Sequence, residues 1–260
     1  LGDANLAYAN HDFPTAIELL REVIRLAPNN PDPYQTLGMI YEEMNNVKKA
    51  LDFLMIAAHL SPKDAQLWYR LADMSNAQSN PRQALYCLAQ ALKLDPEDVN
   101  NRWDQATLYV EIGEPRRALE HLEVLRERIP DNAEVAVELA RVSHSLGLVD
   151  EAERTLDDMM RRFPEKADAT LVNILAELKM ERGRFQETVN LIESAREHMK
   201  RLTEETHRTD DEAAGHAAAA AAMGADSSSG MPARLDWNEL DVLKDESRHF
   251  AQEKARKSNS

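Results

Sequence analysis

Proline returns every 34 residues, at Pro28, Pro62, Pro96, Pro130 and Pro164, and alanine keeps the same step at Ala16, Ala50, Ala84, Ala118 and Ala152. Two series in phase make the chain an array of one repeated supersecondary unit. A proline ring cannot continue the helical hydrogen-bond ladder, so each proline marks the stop of a helix. Small residues at Gly38, Ala72, Ala106 and Ala140, together with the alanine series, let paired helix backbones approach closely. Larger apolar residues at spacings of three and four fill the seam between neighbouring hairpins.

Aligned on these marks, residues 31–64 read Tyr34, Leu37, Gly38, Tyr41, Ala50, Leu54, Ala57, Pro62, and the next block supplies Trp68, Leu71, Ala72, Ser75, Ala84, Leu88, Ala91, Pro96. This pattern resembles the tetratricopeptide-repeat (TPR) consensus. A weaker last copy, Leu175, Ala176, Gly183, Thr188, Ile192 and Ala195, follows a two-residue insertion and lacks the closing proline. Gly113, Gly147 and Gly183 suit the left-handed residue that ends a first helix, and Asn45 tolerates the same conformation. The expectation is an all-α, right-handed superhelical solenoid. Six motifs over residues 1–202 start at about 1, 31, 65, 99, 133 and 169. Since one hairpin cannot bury its apolar face alone, the motifs fold as a stack. Residues 203–234, acidic and then rich in alanine and serine, read as a disordered linker. Residues 235–260 read as a tail in which a helix would set Trp237, Leu240, Leu243 and Phe250 on one side, interrupted by Ser247.

The net charge of −15 disfavours direct binding to a phosphate backbone and makes a basic protein surface the better partner. The only cysteine, Cys87, cannot form an intramolecular disulfide, which favours a reducing compartment such as cytosol or nucleus. Neither a secretory leader nor a run of about 18 apolar residues is present. Starting at Leu1, inside a repeat, the chain reads as a piece of a longer protein. The eight histidines never pair at i, i+4 around an acid, and Gly-rich phosphate loops and nucleophile elbows are missing. The reading is therefore a protein-binding chain without catalytic, cofactor or metal residues and without a small-molecule substrate.

In TPR arrays the concave groove is lined by places filled here by Asp32, Gln35, Glu42, Glu43, Asp73, Trp103, Glu111, Glu134, Glu177 and Glu181, with Arg141 the clear basic exception. Trp68 occupies the aromatic packing slot of its repeat. Trp103 falls one residue past that slot. It is either a binding anchor or swings round to fill the core place where Arg102 stands. Chaperone-binding TPR domains hold a C-terminal carboxylate with Lys, Asn and Arg at such places, and this groove has the opposite charge.

Residues between the repeat marks carry a narrower likeness. Leu1-Gly2-Asp3-Ala4-Asn5, Thr36-Leu37-Gly38-Met39-Ile40-Tyr41-Glu42, Ile56-Ala57-Ala58-His59-Leu60 and Leu67-Trp68-Tyr69-Arg70-Leu71-Ala72 resemble the TPR subunit of TFIIIC, the general transcription factor of RNA polymerase III. So do Gln83 to Cys87 and Asp168 to Leu178. The resemblance covers about residues 1–200, the first TPR array of that subunit. It implies a nuclear scaffold that helps recruit TFIIIB through its TFIIB-related and B-double-prime components, beside other TFIIIC subunits, and meets DNA only indirectly. The tail from 203 departs from the family pattern. The alternatives are a TPR scaffold of another multiprotein assembly and a regulatory TPR domain of a larger enzyme.

Overall fold

The computed structural model describes residues 1–166, 168–198, 200–201 and 237–258, and every regular element among them is helical. The helices are α1 (Gly2–Ala9), α2 (Phe13–Leu26), α3 (Asp32–Glu43), α4 (Val47–Leu60), α5 (Ala65–Ala77), α6 (Pro81–Leu94), α7 (Val99–Glu111), α8 (Pro115–Arg128), α9 (Ala133–Ser145), α10 (Val149–Arg162), α11 (Ala169–Glu181), α12 (185–198) and α13 (Trp237–Ser258). The segment read as a linker, 203–234, lies outside the described residues. The chain divides into two compact units, Leu1–Arg128 with α1 to α8, and Ile129–Ser260 with α9 to α13.

Local chemistry sets the helix boundaries. Asp12, Asn46 and Asn80 each cap a second helix by accepting the backbone N–H three residues on, and Asp64, Asp98, Asn132 and Asp168 do the same for first helices. Such caps satisfy donors that the first helical turn leaves unpaired. Each periodic proline follows a helix that ends two residues earlier, at Leu26, Leu60, Leu94, Arg128 and Arg162. Between the helices of each pair one residue is left-handed: His11, Asn45, Ser79, Gly113, Gly147 and Gly183, with φ between 55° and 78°. His11 and Ser79 were not read as such from the sequence, since neither residue type marks that turn. A left-handed L-residue is strained by about 1–2 kcal/mol. Ser79→Gly should therefore raise stability by about 0.5–1 kcal/mol, after allowing for the greater freedom of glycine in the unfolded chain. The midpoint of urea unfolding measures this, and a lowered midpoint contradicts the strain.

In the first unit the small residues close the hairpins as expected, with Ala16, Ala50, Ala106 and Ala118 fully buried. Leu51, Leu54, Ala57 and Ala58 of α4 meet Leu67, Trp68, Leu71 and Ala72 of α5, and Leu85 and Leu88 of α6, in one apolar cluster. A recurrent bond ties three of the first helices, α3, α5 and α7, to the preceding proline. The Tyr34 hydroxyl donates to the Pro28 carbonyl at 3.1 Å, Trp68 Nε1 to Pro62 at 3.1 Å and Arg102 Nη2 to Pro96 at 2.9 Å. Arg102 itself thus serves the aromatic slot, and Trp103 does not swing into it.

The next slots on α7 are also polar. Asn101 and Gln105 are buried where other repeats hold Leu67 or Val135, and Leu37, Leu71 or Leu139. Asn101 Nδ2 donates to the Leu88 carbonyl at 3.0 Å and Gln105 Nε2 to Asn101 Oδ1 at 2.7 Å, so the amides are satisfied rather than orphaned.

In the second unit Ala136, Val137, Ala140, Ala152, Leu156, Leu171, Leu175 and Leu178 form the core. Val172 and Ala176 of α11 and Ile192 and Ala195 of α12 form a separate cluster that Leu243 of α13 joins.

Candidate protein-binding site

The first helices of the pairs, α1, α3, α5 and α7, are cross-braced by polar side chains. The Tyr8 hydroxyl donates to Glu43 at 2.5 Å, and the hydrogen bond pushes that phenol's pKa up. His11 Nδ1 lies 3.6 Å from the same carboxylate. Arg70 pairs with Glu42, and the Tyr69 hydroxyl donates to Asp98. Two of the expected groove carboxylates, Glu42 and Glu43, are therefore exposed but already engaged by neighbouring repeats.

The arrangement changes at α5 and α7. Asp104 stands one repeat after Arg70, so the place that supplies a cation to Glu42 supplies an anion near Asp73. Burial and the charges of Asp73 and Asp98 together hold the Asp104 carboxyl above its ordinary range. Among the described residues no cation lies within ion-pair distance of Asp73 or Asp104. Trp103, adjacent on α7, is partly exposed. The sequence reading missed Asp104, although its register with Arg70 was there to be compared. Asp32 and Glu111 are exposed on α3 and α7, and Gln35 is half-buried.

In the second unit, Glu134 on α9 and Glu177 on α11 are exposed, Glu181 contacts His144 at 2.8 Å and Arg141 lies 3.7 Å from Glu138. The unexpected feature there is buried. Lys179 Nζ donates to Glu153 at 3.0 Å and Asp157 at 3.1 Å, while Arg182 and Arg184 reach Glu153 at 2.6 and 2.8 Å. Burial alone would raise the Glu153 carboxyl, but the hydrogen bonds from Lys179 and Arg182 and the Arg184 charge outweigh it and hold it below the carboxylate range. In register, Glu153 replaces Leu51, Leu85 and Leu119, and Lys179 replaces Tyr41, Ser75, Tyr109 and Ser143. Opposite charges at two packing slots were the signal that could have found the pair.

Cys87 is fully buried, and burial pushes its thiol up to about 12, which suits an inert packing residue. Among the described residues no group of three or more His, Cys, Asp or Glu side chains is placed to hold a metal ion. No described helix is long and apolar enough to cross a membrane.

Comparison with known proteins agrees with this architecture. The tetratricopeptide-repeat family profile matches residues 7–74, 76–136 and 113–178, which is more than half of the chain. The chain belongs to the tetratricopeptide-repeat family. It is 41% identical over 58 residues to human general transcription factor 3C polypeptide 3, a match covering 22% of this chain and 6% of that protein. A solved structure of Naa15/Naa10 bound to HypK-THB superposes with a TM-score of 0.58 at 15% identity, covering 98% of this chain and 34% of that one. A structure of YrrB, described as a TPR protein with an unusual peptide-binding site, gives 0.49 at 18% identity over 69% and 92% of the two chains. The first of these structures shares the all-helical TPR fold. The TPR array is a protein-interaction scaffold, a surface built from stacked helices that recognises other chains.

Proposed function

We propose that this TPR scaffold binds a basic, partly apolar segment of a TFIIIB component, the TFIIB-related factor or the B-double-prime component, as part of TFIIIC in the nucleus. The observation that carries the reading is that Asp73 and Asp104, exposed in successive first helices beside a partly exposed tryptophan, have no cation partner among the described residues. An incoming Lys or Arg supplies the cation that these carboxylates lack, and tryptophan is enriched among interface hot spots. The partner assignment is supported by the family likeness over about residues 1–200 and by the 58-residue match to the human transcription factor subunit. Asp32, Gln35 and Glu111 of the first unit contribute to the field around the binding surface. Glu42 and Glu43 act chiefly by holding the first helices in place.

Binding of purified TFIIIB components to wild type, Trp103→Ala and Asp73→Asn/Asp104→Asn, each at two salt concentrations, tests this. Trp103→Ala should weaken binding by about 2 kcal/mol, close to thirtyfold. The double amide variant should slow association, flatten the salt dependence and raise the melting temperature of the free chain, because repulsion is relieved there. Unchanged affinity in both variants would place the partner surface elsewhere. A lowered melting temperature in the amide variant would show that the carboxylates are structural.

A further inference from the structure

Within the second unit, α13 packs against the last helix pair. Leu243 enters the cluster of Val172, Ala176, Ile192 and Ala195, and the Phe250 ring stacks on Phe185 with centroids 5.3 Å apart and planes 25° apart. Lys244 Nζ lies 3.1 Å and Arg248 Nη2 2.6 Å from the same Glu193 oxygen. Leu243, Ser247 and Phe250, spaced four and three residues, share one helix face, and Lys244 and Arg248, spaced four, flank it. α13 touches the first helix of the pair, α11, and the second, α12, as α5 in the first unit meets the preceding α4 and is followed by its own partner. It occupies the place where the first helix of a further repeat would pack.

Two features set α13 apart from such a helix. Successive pairs are joined directly, Leu60 to Ala65 and Leu94 to Val99, whereas residues 199–236 separate α12 from α13. Ser247, moreover, is fully buried at the middle of the contact, with no partner for its hydroxyl among the described residues. The residue that seemed to interrupt the apolar stripe in the sequence sits inside the interface.

We propose that the outer face of α11 and α12 is a helix-binding site and that α13 is its tethered, exchangeable occupant. The site selects a helix with a leucine, a small residue and an aromatic at spacings of four and three, flanked by two cations that share Glu193. Tethering holds α13 at high effective concentration, so it covers the face without a tight intrinsic contact. The orphan hydroxyl keeps that contact weak.

Hydrogen exchange on the full chain reads the contact. Glu193→Lys should reduce protection of the α13 amides about tenfold, and adding Lys244→Glu with Arg248→Glu should restore it, because the charges are then exchanged rather than lost. Ser247→Ala should increase protection about fivefold or more by removing the unpaired hydroxyl. A fluorescent peptide of residues 237–258 should bind the full chain carrying Leu243→Asp at least tenfold more tightly than wild type, whose own α13 competes. Equal exchange in wild type and Glu193→Lys, or equal peptide binding by wild type and Leu243→Asp, would overturn the proposal. So would a concentration-dependent dimer abolished by Glu193→Lys, since α13 would then serve a second copy of the chain.

Discussion

Replacing Glu153 with leucine, the residue most common at its register, should destabilise the protein by about 1.5–3 kcal/mol, the cost of taking from a buried ammonium its one buried charged acceptor. By repeat pattern alone the substitution looks favourable, because Leu51, Leu85 and Leu119 pack at the same place. The structure reverses the sign. Glu153 is the anion on which Lys179, Arg182 and Arg184 converge, and Lys179 is 5% exposed. Without it, Lys179 keeps Asp157 and Glu187 but faces two guanidinium groups across a gap. Arg182 and Arg184, 29% and 40% exposed, can turn to solvent, so Lys179 bears the loss.

Adding Lys179→Met should return stability to within about 1 kcal/mol of wild type, since well-packed apolar pairs often match buried ion pairs. Chemical denaturation of the two single variants and the double variant closes the cycle. A stable Glu153→Leu chain, or a double variant no better than the single, would contradict the network. The pH response has a definite sign. The Glu153 carboxyl is held below its ordinary value in the folded chain, so its contribution is present above the unfolded-state value and is lost as pH falls through the folded one.

Much of the fold was legible because TPR packing is written in small and apolar residues at fixed steps. Ala50, Ala84, Ala118 and Ala152 are small where backbones meet, and each is buried. What the period hid were slots where chemistry changes while geometry does not. Asn101 and Gln105 take places held by Leu67 and Leu71 one repeat earlier, and they can because each amide finds a partner at bonding distance, which only coordinates show. Arg102 likewise reproduces the bond of Trp68 with a different chemical group. Of the candidate site, the acidic character was legible and its division of labour was not. Whether a carboxylate is engaged depends on the residue one helix over: Arg70 beside Glu42, but Asp104 near Asp73.

Gly38→Val should cost about 3 kcal/mol, at the upper end of the usual range for overpacking. A Cβ built on Gly38 lies 2.5 Å from both Cγ and Cδ2 of Leu54, and Leu54 is 1% exposed in the middle of α4. Cγ is the branch point of that side chain rather than its free end, so no simple rotation clears it, and α3 and α4 must separate. The other repeats place Ala72, Ala106 and Ala140 at this register opposite Leu88, Leu122 and Leu156. A helix pair can therefore adjust to one methyl group. Gly38→Ala should cost no more than about 1 kcal/mol, because the better helix propensity of alanine offsets part of the strain. Valine adds two branches at the same crowded point. Leu54→Ala alone should cost about 2–5 kcal/mol by opening a cavity. Combined with Gly38→Val it should cost less than the sum by about 1–3 kcal/mol, because each change supplies what the other lacks in volume. Urea unfolding of the wild type, both single variants and the double variant measures the coupling. In a repeat array each pair is stabilised mainly by its neighbours. A lesion between α3 and α4 should therefore broaden the transition as the first unit opens ahead of the rest. Additive effects would mean that the two side chains do not share that space.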